Sequence, residues 1–479
     1  MTPQKTIRIG CGAGFQGDRI DPAVILAAQG KLDWLVLECL AERTVAMAQL
    51  RRLADSDQGY DPLLRSRMQA LLPLLKRNGF RLVSNLGAAN PVGAGREVIA
   101  MARALELPMT VAVVTGDDVL GLLDPDTPTL ETGRAVGDYG ALISANAYLG
   151  ADAILPALAS GAEVIITGRV ADPSLFLAPM MHAFGWPIDD PALLARGTVI
   201  GHLLECAGQL TGGYFADPGK KDVRDLAHLG FPFCDVESTG HGTFGKVAGT
   251  GGMITLRTVK EQLLYEVNDP RAYVTPDVVA DFSGVVLTDH GDDRVHVAGA
   301  TGSVRTDTLK VSVGYRAGYL GEGEISYAGP NARARAELAG AIVHERLHHD
   351  LPDVRIDLIG IDSTHRTDFG HPHDPYEVRL RVAASGSTRE RAERVGLEVE
   401  ALYTNGPAGG GGARKFISER VGIVSTLMPR DLVETAVVHL STETTTTMAT
   451  ASEMPAAVED IVEVPDPRTP PMLHGAPPP

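Results

Sequence analysis

Short apolar, β-branched runs at residues 7–12, 34–40, 81–87, 110–116 and 164–169 alternate with longer segments of mixed character in the first half of the chain. The runs predict strands and the segments between them predict helices. In residues 61–79, Leu63, Leu64, Met68, Leu71, Leu72 and Leu75 recur at three- and four-residue spacing, and Gly79 supplies a stop. Further helices are expected after Pro22, Gly93 and Asp138. Strand, helix, strand at this rhythm implies right-handed crossovers and an α/β fold with a mainly parallel, Rossmann-like sheet covered by helices on both faces. Ligands of such sheets bind outside the carboxyl ends of the strands, and here those ends carry glycine and polar residues.

The pattern changes near residue 215. Short runs at 285–287, 294–298, 309–315 and 324–328, broken by Gly and Asp, read as antiparallel strands. A helix at 331–350, strands at 354–361 and 376–384 and a helix at 388–403 then make a second α+β lobe. The expected organisation is an α/β domain at 1–215, a second α+β domain at 216–455 and a tail at 456–479. Seven prolines between Pro465 and Pro479 predict disorder for that tail.

Composition narrows the function classes. The chain has 479 residues, 44% hydrophobic and 22% charged, a balance that folds without a partner. Its net charge of -17 repels nucleic acid and anionic membrane surfaces, which excludes both as partners. A small anionic substrate stays open, since screening over roughly 8 Å lets a few local cations dominate a cleft. Four cysteines without a C-x-x-C pair fit a reducing compartment. With no apolar leader at the start and no apolar run of membrane-spanning length, a cytoplasmic location is expected.

The candidate chemistry sits in the strand-end loops. Gly12-Ala-Gly14-Phe-Gln-Gly17 satisfies G-x-G-x-x-G, and Glu38 follows about 20 residues on. Asp21 as N-cap and Pro22 as first helical residue place the helix start well beyond Gly17, so NAD(P) is disfavoured and the glycines serve the turn or a substrate. Asn85, Gly87 and Asn90 let a ligand approach the backbone of the third strand end, or make an Asx turn before Pro91. Asp117 and Asp118 suit a base or magnesium ligands, or one of them caps a helix. Arg169 suits capture of a carboxylate or phosphate, or an internal ion pair with Asp172.

Glu205, in His202-Leu-Leu-Glu205-Cys206, is the best candidate acid, since apolar surroundings would raise its pKa. Lys246 with Thr250, and Gly410 and Gly411 with Arg414, form two cation-flanked glycine loops able to nest an anion, although neither is a P-loop. His371, His373 and Asp374 have metal-like spacing, but the surrounding Pro and Gly favour a solvated loop, and no metal ligand set is assigned.

Taken together, G-C-G-A-G-F, N-L-G-A-A-N-P, S-A-N-A-Y-L-G-A (which contains Asn146), I-T-G-R-V-A-D, H-L-L-E-C, L-T-G-G-Y-F-A-D-P and G-P-A-G-G-G-G resemble the acyclic terpene utilisation (AtuA-like) family from about Ile7 to Met448. The resemblance implies catabolism of an acyl-CoA or small branched carboxylate. On the polar residues of the strand ends, lyase, hydratase or hydrolase chemistry would fall to Glu205, Asp117, Asp172 and Arg169; the alternatives are a non-catalytic or ligand-binding subunit of a catabolic complex and an NAD(P)-dependent oxidoreductase. The resemblance itself carries no catalytic assignment, and no cofactor is assigned. A common longer layout of the family ends in a small ferredoxin-like domain, where this chain has proline-rich sequence, so we expect a homo-oligomer with room for a separate ferredoxin-like subunit.

Overall fold

The computed structural model describes residues 6–370 and 375–443. The chain opens with β1 (Thr6–Ala13), α1 (Asp21–Gln29), β2 (Trp34–Leu37), α2 (Glu42–Ala54), α3 (Leu64–Asn78), β3 (Arg81–Ser84), α4 (Pro91–Ala104) and β4 (Thr110–Thr115). β2 and β3 stop short of the apolar runs that announced them, and the residues released, Glu38 and Asn85 among them, become loop. Helix α3 buries Leu64, Met68, Leu71, Leu72 and Leu75 and ends at Gly79 in the left-handed conformation, φ 74°. Helix α1 starts at Asp21 with Pro22 in its first turn, although Ile20 rather than Asp21 occupies the cap position.

After Asp138 the chain forms a strand, β5 (Leu142–Ala147), where a helix was expected. Its partner is a distant strand, which a local hydrophobic pattern does not reveal. Then follow α5 (Ala151–Ala159), β6 (Val164–Ile166), α6 (Ser174–Phe184) and α7 (Pro191–Glu205).

Strands β1, β2, β3, β6 and β4 lie side by side in that order and run parallel. Movement from β1 to β2, β3 and β4 goes one way across the sheet, and the return to β6 goes the other. Right-handed crossovers therefore put α1, α3 and α4 on one face and α5 on the opposite face, where α6 packs beside α5 and α7 beside α6. The two helices after β6 have a consequence for the site. A single helix would bring the chain back to the starting end of the parallel strands. A second one, α7, returns it to their carboxyl end, so Glu205 arrives on the rim already holding Glu38, Asn85 and Arg169.

The remaining elements are β7 (Pro232–Glu237), β8 (Gly242–Lys246), α8 (Leu256–Leu264), β9 (Tyr273–Val274), β10 (Val279–Asp281), β11 (Val286–Gly291), β12 (Arg294–Ala298), β13 (Thr301–Ser303), β14 (Thr308–Ala328), α9 (Ala332–Leu347), β15 (Arg355–Ile359), β16 (Glu377–Gly386), α10 (Arg389–Glu400), α11 (Leu402–Asn405), β17 (Gly411–Pro429) and β18 (Ala436–Ser441). β7 starts from the rim and so runs antiparallel to β1; β8, β12 and β11 extend that edge, and β18 closes the other against β4. The sheet expected to be mainly parallel is therefore mixed, with ten strands drawn from both sides of residue 215.

The runs expected as separate strands at 309–315 and 324–328 are one strand of 21 residues, β14. The glycines between them carry no strand signal, but helix α10 needs them: a Cβ on Gly321 would lie 1.8 Å from the carbonyl oxygen of Ala392. At one end of β14, Leu309, Val311 and Val313 join the large core; at the other, Ile325 and Tyr327 join a second core with Ala336, Val343, Leu380 and Val395. β14, α9, β15, β16, α10 and β17 form an antiparallel βαββαβ unit in the order β15-β16-β14-β17, the ferredoxin-like arrangement. No helix among the described residues is long and apolar enough to cross a membrane. The proline-rich segment 456–479, with His371, His373 and Asp374, lies outside the described residues.

Candidate functional site

At the carboxyl ends of β1 and β2 opens a cleft of about 1030 Å³. The loop from Gly14 to Asp18 forms one wall, and Glu38, Leu40 and Glu42 a second; Asp172, Glu205, Tyr273 and Lys310 complete the floor with Tyr148. Beyond Tyr148, Asp172, Tyr273 and Lys310 lies a narrower annex of about 330 Å³, whose other walls include Ala171, Pro173, Val274, Pro276, Leu309 and Leu427. The two spaces share those four polar residues. A polar chamber and a mostly apolar one thus meet at one set of titratable groups.

Arg169 organises the junction from beneath. Its guanidinium is fully buried, pairs with Asp172, donates to the Leu40 carbonyl and lies 4.3 Å from the centroid of the Tyr148 ring. Its backbone N–H donates to Asp117 Oδ2 at 2.8 Å, and Asn146 Nδ2 donates to the same oxygen at 2.9 Å. Burial raises Asp117 to about 6 despite these bonds. Asp117 and Asn146 therefore form a bracket behind the cleft, and the neighbouring Asp118 is exposed and bonds the Leu120 N–H. The two adjacent aspartates do not converge. Among the described residues, no three His, Cys, Asp or Glu side chains come together as metal ligands.

The cleft carboxyls are driven apart. Burial pushes Glu205 well above the ordinary range, and Asp172 and Glu266 add to the effect. Glu38 is raised in the same way by burial and Asp172; its Oε1 accepts from the Leu40 N–H at 2.8 Å and from Asn85 Nδ2 at 2.9 Å. Burial raises Asp172 as well, even with Arg169 beside it. Glu42 goes the other way. Burial would raise it, but the Tyr148 hydroxyl donates to it and Lys310 Nζ stands 3.1 Å off, and together they bring it down to about 2. Carboxyls separated in this manner divide into proton donors and a fixed anion. The Cys206 thiol, on the cleft wall, is pushed up by burial and by Glu205, so it is held as a thiol.

Of the residues singled out by sequence, Glu205, Asp172, Glu38, Gly14 and Gly17 line the cleft, with Arg169, Asp117, Asn146 and Asn85 packed directly behind it. The Gly14 N–H donates to Asp18 Oδ2 at 2.9 Å, so the glycine loop closes on its own carboxylate. Gly12 sits inside β1 against Leu35 and Leu37. Gly87 joins the β3 and β6 loops, its N–H donating to Thr167 at 3.1 Å. Asn90 caps α4 through the Gly93 N–H and donates to Gln58 at 2.8 Å.

Lys246 and Thr250 line a separate cleft of about 810 Å³, where Lys246 is taken up by the Thr250 carbonyl at 2.8 Å and Asp293 at 3.3 Å. Gly410, Gly411 and Arg414 belong to the ferredoxin-like unit; Arg414 lies opposite Glu324 in the β17–β14 register. The sequence reading missed His202, Tyr148, Tyr273, Glu42 and Lys310. The first two lie inside quoted motifs, H-L-L-E-C and S-A-N-A-Y-L-G-A, so a signal was present; Lys310, deep in a strand, had none.

The model of the family described as acyclic terpene utilisation family protein AtuA matches residues 7–439. No curated protein matches the chain.

Proposed function

The chain belongs to the acyclic terpene utilisation family AtuA, which implies a part in the use of acyclic terpenes, and from that premise we propose that it is an enzyme performing acid–base chemistry on a branched acyl thioester. The observation that carries this reading is the group of buried carboxyls at the junction of the two chambers, Glu205 and Asp172 above all, beside an apolar annex. The branched tail occupies the annex, the carbonyl lies between Lys310 and Tyr273, and the carrier leaves through the larger chamber. Glu205 delivers or removes the proton, as in a hydratase or lyase step.

A free carboxylate fits less well than a thioester. Glu42 already stands in the cleft as a fixed anion, and the cations Arg169 and Lys310 are each paired within the protein. A further negative charge would meet no unpaired partner there, whereas an uncharged carbonyl adds none. Covalent catalysis by Cys206 is disfavoured because its thiol is held protonated. Thermal unfolding tests the substrate class. At about 100 times its Kd, a branched medium-chain acyl-CoA should add about 2.7 kcal/mol of stability, and the corresponding free acid less. A shift with the acid alone, or none with the thioester, would overturn the assignment.

A further inference from the structure

His202 stands behind Glu205 with no role in the reading above. It is fully buried, 1% exposed, at the end of α7, and its ring packs against Tyr273 and Phe282 with centroids 5.1 and 5.6 Å away. Its Nδ1 lies 2.9 Å from Glu205 Oε1 and 3.5 Å from the Tyr273 hydroxyl. Backbone groups of Gln262 and Leu263 on α8 favour the protonated ring, and Nε2 is buried with no hydrogen-bond partner among the described residues. The other Glu205 oxygen, Oε2, is buried and has no hydrogen-bond partner among the described residues, and Glu205 lines the cleft. A buried carboxyl oxygen left unbonded in this way is costly unless something else engages it.

We infer that Glu205 and His202 form a proton relay, in which Glu205 exchanges a proton with the substrate at Oε2 while Oε1 exchanges one with His202 Nδ1. In the forward sense the substrate C–H bond breaks, its electron pair stays on the substrate and an Oε2–H bond forms. At the same time the Oε1–H bond breaks and an Nδ1–H bond forms. The carboxyl is neutral before and after, and the charge ends on the imidazole. The reverse sequence protonates the substrate.

The surroundings agree with this division. Burial lowers His202 to about 4, so the resting imidazole is neutral, and the relay uses the tautomer with its proton on Nε2, which leaves Nδ1 to accept from Glu205. The charged groups facing the pair are Asp172 and Glu266 on the acidic side and Arg169 on the basic side, with Tyr273 and Cys206 as neutral neighbours. The acidic pair favours an imidazolium once it forms. His202 is a positioning and relay residue, since Glu205 stands between it and the cleft.

The proposal rests on Glu205 being the proton-exchanging group, but its test needs no substrate. In the full chain labelled with 15N-histidine at neutral pH, the resonance lost in His202→Gln should report a bare Nδ1 and a protonated Nε2. The infrared band of protonated carboxylic acids should lose intensity in Glu205→Gln and shift in frequency in His202→Gln. A protonated Nδ1, or an acid band of unchanged intensity in Glu205→Gln, overturns the relay. If His202→Gln does not fold, the infrared comparison of wild type with Glu205→Gln decides alone. Thioester binding with a failed relay would leave the substrate reading standing; an intact relay without thioester binding would do the reverse.

Discussion

Glu205 and Glu42 carry the same carboxyl group on the same cleft and are driven in opposite directions by what surrounds them. Sequence exposed one half of that contrast. The apolar neighbours of Glu205 in α7 announced its raised pKa, because a helix that is buried nearly all round desolvates whatever it carries. The lowering of Glu42 depends on Tyr148 and Lys310, brought from distant parts of the chain, and was illegible. Asp117 was read as a candidate base or magnesium ligand, yet its two bonds go to the Arg169 backbone and Asn146, which makes it part of the frame.

Its titration gives a stability prediction with a definite sign. Asp117 is raised from 3.8 to about 6, so its contribution to stability is full below the unfolded value and is lost as pH rises through about 6. Asp117→Asn keeps the acceptor and escapes that loss. Its stability relative to wild type should therefore climb between about pH 4 and pH 7, by about 3 kcal/mol at most for a shift of about two units. Denaturant unfolding of both proteins across that range checks it; a difference that stays flat or falls with pH rejects the assignment.

Among elements, the parallel strands and the α3 helix were readable because their signals are local: β-branched runs buried on both faces, and a leucine stripe ending in glycine. β5, β17 and the continuity of β14 were not, since each depends on partners far along the chain. The antiparallel strands joined to β1 were hidden by the same cause, and with them the mixed character of the sheet.

The glycine loop after β1 shows how an element acquires a meaning that its motif did not foretell. A Cβ on Gly14 would come within 2.5 Å of the Cys206 carbonyl carbon, so the glycine lets the end of α7 approach β1 and sets Glu205 on the rim. Gly14→Ala should cost about 1 to 3 kcal/mol of stability through overpacking. It should also reduce substrate proton exchange beyond what the lost stability explains. Urea unfolding together with exchange rates at a temperature where both proteins are folded would test this; unchanged stability would contradict the contact.

For the whole molecule, the net charge of -17 and the family match set the bounds, and the fold brings the candidate groups to one cleft. The family resemblance covered nearly the whole chain but named no residues; loop ends, α7 and β14 converge on one junction and gather the candidate residues there. The most direct measurement follows a branched medium-chain acyl-CoA in deuterated buffer by proton NMR, with wild type and with Glu205→Gln. Deuterium should enter beside the thioester carbonyl with the wild type, slowed in Glu205→Gln by about 100-fold or more. No incorporation above buffer alone, or equal rates for the two proteins, would contradict it.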